Sequence, residues 1–134
     1  QVDHVQVKTE PRWLTEATLL AIHAQQIERF GGAHGVLDQH VVLSTLARPQ
    51  QRWHYDESAD LADYAAAYLV GFARSQGFND GNKRTGLACA LVVLALNGAA
   101  LHVNGAELYA MTMKVATNQA GDPDVAAYLR ERLP

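Results

Sequence analysis

The stretch Gln76-Gly77-Phe78-Asn79-Asp80-Gly81-Asn82-Lys83-Arg84-Thr85, leading into the apolar run Leu87 to Leu96, decides how this chain reads. The run is far shorter than the ~20 residues a membrane-spanning helix needs, and it meets a stop signal at Asn97-Gly98. It predicts a core helix, hydrophobic nearly all round and therefore expected at the centre of a bundle. The preceding loop delivers backbone N–H groups to the N-terminus of that helix, where unsatisfied donors and the helix dipole favour an anion, phosphate above all. Gly81 lets the backbone approach closely, Asn82 is expected in a left-handed conformation that curls the amides into a nest, and Lys83 and Arg84 add positive charge. Asp80 has the opposite sign, which beside phosphate makes sense for a hard cation such as Mg²⁺. The set reads as a nucleotide diphosphate site.

The pattern is not a Walker A loop, because Gly77 and Gly81 are too close and Asn82 stands between the second glycine and Lys83. A plain helix-capping loop with Lys83 and Arg84 in solvent accounts for the same letters, and composition alone favours it. Basic residues in a first turn oppose the helix dipole, however, and that penalty is easier to understand where an anion is expected.

Outward from this segment the chain reads as helices. Thr15 is a candidate N-cap for a stripe of Leu20, Ala24 and Ile27 that ends after Phe30, and the glycines of 31–35 suit a tight loop or small hairpin. Asp38 is expected to cap a short helix that Pro49 stops, leaving Gln50 to Ser58 as a surface connection. Leu61, Ala65, Tyr68 and Phe72 form the apolar stripe of a helix expected to start near Ser58 or Ala59. Glu107 to Asn118 and Val125 to Leu133 predict two more helices, the last with Asp122 as cap and Pro123 at its first position, and only Ala100 to Val103 reads as extended. The fold class is all-α, about six helices, with residues 1–13 as an N-terminal extension and 14–134 as a single domain.

The 134 residues, 49% hydrophobic and 19% charged, fit one globular domain. A net charge of −3 gives no basic surplus for a polyanion, and no basic recognition helix supports a DNA-binding domain, so no direct nucleic-acid partner is expected. The polar N-terminal residues carry no apolar leader segment, which favours a cytoplasmic location with no membrane association. A single cysteine, Cys89, excludes an internal disulfide framework, and its expected role is small-residue packing. Six histidines, at 4, 23, 34, 40, 54 and 102, show no paired metal spacing, so surface or capping roles are expected for each. Trp13 and Trp53 read as packing anchors, and Asp56, Glu57, Asp60 and Asp63 as a solvated face near a helix start.

In order and spacing, Phe78, Asp80, Gly81, Asn82, Lys83 and Arg84 resemble the signature of the Fic/Doc family, His-x-Phe-x-Asp/Glu-Gly/Ala-Asn-Gly/Lys-Arg. Lys83 followed by Thr85 resembles the Doc (death-on-curing) branch. The likeness extends over Ile27 to Gly32, Gly35 to Asp38, Leu46 to Gln50 and Asp63 to Arg74, and covers roughly Leu14 to Leu133. It implies a Fic-type bundle with a flap at Phe30 to Leu37. It also implies an enzyme that uses ATP and Mg²⁺ to modify a protein hydroxyl. For the Doc branch the reaction is phosphoryl transfer to translation elongation factor Tu, and for many Fic proteins AMP transfer. By the same resemblance Asp80 would hold Mg²⁺, the amides of Gly81 to Lys83 would hold phosphate, and Lys83 and Arg84 would stabilise its charge. Phe78 would anchor the loop, and Arg74 is a further candidate phosphate contact. No Ser/Thr-x-x-x-Glu-Gly/Asn self-inhibitory string is present in these residues, so restraint is expected from a separate Phd-like antitoxin.

One position departs from the pattern. The signature opens with His, the group that takes the proton from the acceptor hydroxyl, and here it is Gln76. A carboxamide has no useful basicity near pH 7, so this chain is expected to be nearly inactive, with a loss of ~10²–10⁴-fold, while nucleotide and partner binding persist. Either the exchange is an engineered inactivation of a toxic enzyme, a hypothesis that a Gln codon in the source gene would sink, or the chain is a natural pseudoenzyme that binds nucleotide or antitoxin.

Overall fold

Six α-helices follow one another in the computed structural model, which describes residues 8–134: α1 (Glu16–Phe30), α2 (Gln39–Tyr55), α3 (Leu61–Arg74), α4 (Asn82–Leu96), α5 (Gly105–Ala116) and α6 (Asp122–Arg132). The all-α class expected from the periodicities is the one observed. Residues 1–7 of the N-terminal extension, with His4, lie outside the described residues. Residues 8–14 pack onto the bundle. The Lys8 amine donates to the Glu57 carbonyl at 3.1 Å, Trp13 stands edge-on to Tyr64 with centroids 5.1 Å apart, and the Leu14 N–H donates to the Tyr68 hydroxyl at 3.2 Å.

Local chemistry sets the helix ends. Thr15 caps α1 by accepting the Thr18 N–H at 3.1 Å, as its position predicts. The start of α3 falls two to three residues later than expected, at Leu61, because Asp60 and Asp63 form a reciprocal capping box. These two carboxylates are therefore not simply a solvated face. Arg130 of α6 also reaches both, at 2.8 Å and 3.2 Å, and Asp56 pairs with Arg52 at 3.2 Å. The Arg130 hydrogen bond is the main reason the Asp60 carboxyl is held down to about 2.

Three further expectations change. Pro49 does not stop α2, which runs on to Tyr55, so the surface connection shrinks to the residues after it. Val42, Thr45 and Pro49 are buried where α2 meets α3, and that packing offsets the hydrogen bond proline cannot donate. Ala100 to Val103 forms no strand; the irregular segment ends where Asn104 caps α5 by accepting the Ala106 and Glu107 N–H groups. In α6, Gly121 rather than Asp122 is the N-cap, and Asp122 and Pro123 lie inside the first turn.

The most enclosed helix is α3, not α4. Eleven of the fourteen α3 residues are buried, and its alanines and Gly71 let α2, α4, α5 and α6 close around it. A Cβ on Gly71 would lie 2.8 Å from Thr45 Cγ2, and one on Gly86 of α4 would lie 2.7 Å from the Leu69 carbonyl oxygen. Such crossings accept only glycine. The apolar character of α4 on its far side, at Leu87, Ala88, Leu91 and Val92, is left half-exposed and lines a groove. Cys89 is buried at the α3-facing side, as its packing role predicts, and burial pushes its thiol far up.

Candidate active site

The loop between α3 and α4 is held by its own asparagine. Asn82, the first residue of α4, turns its carboxamide back so that Oδ1 accepts the Phe78 N–H and Nδ2 donates to the Phe78 carbonyl, both at 3.0 Å. The left-handed residue is accordingly Gly81 (φ 79°, ψ 16°) and not Asn82, because a carboxamide so engaged needs helical backbone beneath it. Phe78 is fully buried, so it anchors the loop and cannot touch a cofactor directly. It stacks on His23 of α1 with centroids 3.9 Å apart and planes 9° from parallel.

Gly81 provides no side-chain cap for α4, which leaves the N–H groups of its first turn facing the loop cavity. A Cβ at Gly81 would sit 3.0 Å from Ile27 Cδ1, so the left-handed turn and the close approach to α1 both require glycine. The cavity here measures about 360 Å³ and is lined by Gly31, Gly32, Asp80, Gly81, Lys83 and Arg84 among others. Among the described residues no carboxylate lies within ion-pair distance of Lys83 or Arg84. Instead the Arg84 guanidinium lies 3.8 Å from the centre of the Phe30 ring and 4.6 Å from that of Tyr109. Two aromatic faces hold it in place without neutralising it, which keeps its charge available to an anion. The same arginine also borders the apolar groove along α4, about 500 Å³ in volume.

The flap expected at Phe30 to Leu37 is present, but as a loop laid on the signature segment rather than a hairpin paired with itself. Val36 bridges Phe78 in antiparallel sense, Leu37 and Asp38 donate to the Gly77 carbonyl at 2.8 and 3.0 Å, and Asn79 N–H donates to the Gly35 carbonyl at 3.1 Å. Asn79 Nδ2 adds a bond to the His34 carbonyl at 3.1 Å, and Asp80 Oδ2 accepts the Ala33 N–H at 2.7 Å. Positive φ at Gly31, Gly32 and Gly35 makes this path available.

Of the residues singled out from sequence, Asp80, Gly81, Lys83 and Arg84 come together at the cavity, and Asn82 lies beneath them. Gln76 is exposed, one residue before the Gly77 carbonyl that receives the flap. Arg74 is not brought to the cradle: its Nε donates to the Val115 carbonyl at 3.1 Å and its Nη2 to that of Ala120 at 2.7 Å. Those bonds complement the end of α5. His23, for which a surface or capping role was expected, is instead buried at 4% exposure and donates from Nε2 to the Asp80 carbonyl at 2.8 Å. Sequence reasoning missed Asn79, Phe30 and Tyr109. The available signal was positional, since His23 lies one turn from Ile27 on the inner face of α1.

Among the described residues no cluster of three or more His, Cys, Asp or Glu could hold a metal alone. A single exposed carboxylate beside an amide cradle fits Mg²⁺, which is ordinarily bound by one or two carboxylates together with phosphate oxygens and water. The residues present therefore fit a nucleotide–Mg²⁺ pair better than a free metal.

The fold and the site together define an all-α bundle in which the loop before α4 opens that helix's N-terminus toward a cavity carrying Asp80, Lys83 and Arg84, with the 31–37 loop laid beside it. Residues 13–94 match the model of the Fic/DOC family, and the chain belongs to that family. "Protein kinase doc" of Escherichia phage P1 is 38% identical over 119 residues, which is 89% of this chain and 94% of that protein. "Toxin Doc" of Mycolicibacterium smegmatis (strain ATCC 700084 / mc(2)155) is 41% identical over 73 residues, covering 54% of this chain and 56% of that protein. Both relatives place the chain on the Doc branch. No helix among the described residues is long and apolar enough to cross a membrane.

Proposed function

We propose that this chain is a Doc-like toxin enzyme that carries every part of its phosphate-transfer site except the general base. The observation that carries the reading is the uncapped N-terminus of α4, opened by left-handed Gly81 and flanked by Asp80, Lys83 and Arg84; that Gln76 stands at the position of the general base is read from the resemblance to the family signature. In the reaction, the hydroxyl oxygen of a target protein attacks the γ-phosphorus of ATP. The bond from that phosphorus to the β–γ bridging oxygen breaks, and ADP leaves. The first-turn amides of α4, Lys83 and Arg84 stabilise negative charge on the transferred group. Asp80 would hold Mg²⁺, which neutralises phosphate charge when bound. By the resemblance, the hydroxyl proton goes to the side chain at position 76, and a carboxamide does not take it.

The name of the phage relative, a protein kinase, supports phosphoryl rather than AMP transfer, and the name of the mycobacterial one supports a toxin. The target read from the resemblance is translation elongation factor Tu in the cytoplasm, and the partner a Phd-like protein. The rival reading is a natural pseudoenzyme, favoured by one observation: the cradle and flap are complete although residue 76 has no basicity. Intact-mass spectrometry of a bacterial lysate given ATP and Mg²⁺, comparing this chain with its Gln76→His form, separates the readings. A phosphoryl-sized increment that appears only with histidine supports the kinase, an adenylyl-sized one moves the chain to AMP transfer, and no increment with either form, despite nucleotide binding, supports the pseudoenzyme.

A further inference from the structure

His23 lies on α1, one turn before Ile27, with its ring sealed against Phe78. A carbonyl oxygen can only accept, so the 2.8 Å contact between His23 Nε2 and the Asp80 carbonyl fixes the tautomer with the proton on Nε2. The bond therefore grips the backbone of the residue whose side chain faces the cavity. From the other direction, Asp80 Oδ2 takes the Ala33 N–H at 2.7 Å. A Cβ on the next residue, Gly81, would approach both Ile27 Cδ1, at 3.0 Å, and His23 Nε2, at 3.7 Å, so α1 forms the wall against which the left-handed turn is pressed. We propose that His23 is a positioning residue: its Nε2–H bond to the Asp80 main chain sets the direction of the Asp80 carboxylate, and through it the attachment of the flap and the hold on a nucleotide's cation. The part concerning the cation rests on the transferase reading above, and the part concerning the flap does not.

A purely structural histidine would matter through its ring. Here the donor and the ring are separable by substitution. Phenylalanine keeps the stack on Phe78 and removes the donor. Glutamine removes the stack but places its Nε2 as many bonds from the backbone as the imidazole Nε2, and so keeps a donor. Outer-shell donors of this kind change metal affinity by about 10–100-fold when lost.

The test uses the full chain and two readouts, the backbone amide resonance of Ala33 by NMR in the absence of ligand, and calorimetric titration with ATP and Mg²⁺. The expected result is that His23→Phe stays folded, loses the downfield, slowly exchanging Ala33 amide, and binds ATP with Mg²⁺ about 10–100-fold more weakly. His23→Gln, although less stable to heat, keeps the Ala33 resonance and binds close to the parent. A folded His23→Phe protein with an unchanged Ala33 amide overturns the proposal, and so does a folded His23→Gln protein that has lost that amide. If His23→Phe fails to fold, the glutamine variant alone decides. A parent that binds no ATP defeats the transferase reading, and the Ala33 amide still decides whether His23 positions Asp80.

Discussion

Asp80 Oδ2 and the Ala33 N–H are 2.7 Å apart, so the carboxylate expected to meet the cation is also the one that fastens the flap over the cradle. A carboxylate has lone pairs enough for both partners, and the two duties can be separated by mutation. Asp80→Asn retains a carbonyl oxygen for Ala33 but loses the charge, and it is expected to keep the flap and abolish the Mg²⁺ dependence of ATP affinity. Asp80→Ala loses both. Titration with and without Mg²⁺, together with the Ala33 amide resonance, checks the pair.

Gly81→Ala puts a Cβ on a residue at φ 79° and 3.0 Å from Ile27 Cδ1. Left-handed backbone costs an L-residue about 1–2 kcal/mol, and relief by unwinding the turn would re-aim the amides. We expect a loss of that size in urea unfolding, accompanied by weaker ATP binding. An unchanged midpoint and affinity would show that the turn is not strained.

Asn82→Ala leaves the N–H and the carbonyl of buried Phe78 without partners. An unsatisfied buried group costs about 1–3 kcal/mol, so the substitution is expected to destabilise the fold by at least that amount in urea unfolding. Asn82→Asp keeps the acceptor, loses the donor, and should fall between the alanine variant and the parent.

Asp60 supplies a pH signature away from the cradle. Hydrogen bonding from Arg130 is the first cause that lowers its carboxyl from an ordinary 3.8 to about 2. A group whose folded value is depressed contributes stability that is present above its unfolded value and is lost as pH falls through the folded one. Arg130→Ala is therefore expected to cost less than about 1 kcal/mol at pH 7, since the pair is half-exposed. The deficit should shrink between pH 4 and pH 2, as followed by urea unfolding of both proteins. A deficit that stays constant over that range would mean the ion pair contributes nothing.

Side-chain caps made the helices legible, because Thr15 and Asp38 act locally and need no tertiary partner, whereas Asn97 also bonds the Arg12 main chain. The α1 stripe was misplaced in part, since Ile27 is buried but Leu20 is exposed and Leu19, Ile22 and His23 form the inner face. Pro49 misled because a proline reports a local cost, while the burial of Val42, Thr45 and Pro49 against α3 is a long-range gain. The centre of the bundle misled for a related reason. An apolar run such as Leu87 to Leu96 shows that a helix can be buried, whereas the alanines and Gly71 of α3 show how many neighbours can close on it. The residues contiguous in sequence line one cavity, with Asn82 bonded back to Phe78 and Arg74 turned to the end of α5. His23, Phe30 and Tyr109 come from α1 and α5, and no spacing rule links them to residues 78–84.

A phosphate-transfer site that lacks only its base is tested by label transfer from ATP and Mg²⁺ to purified elongation factor Tu, comparing this chain with Gln76→His. We expect transfer from γ-labelled but not α-labelled ATP by the histidine form, at least about 10²-fold faster than by the glutamine chain. Equal labelling by the two forms, or none by either while both bind ATP, would contradict it.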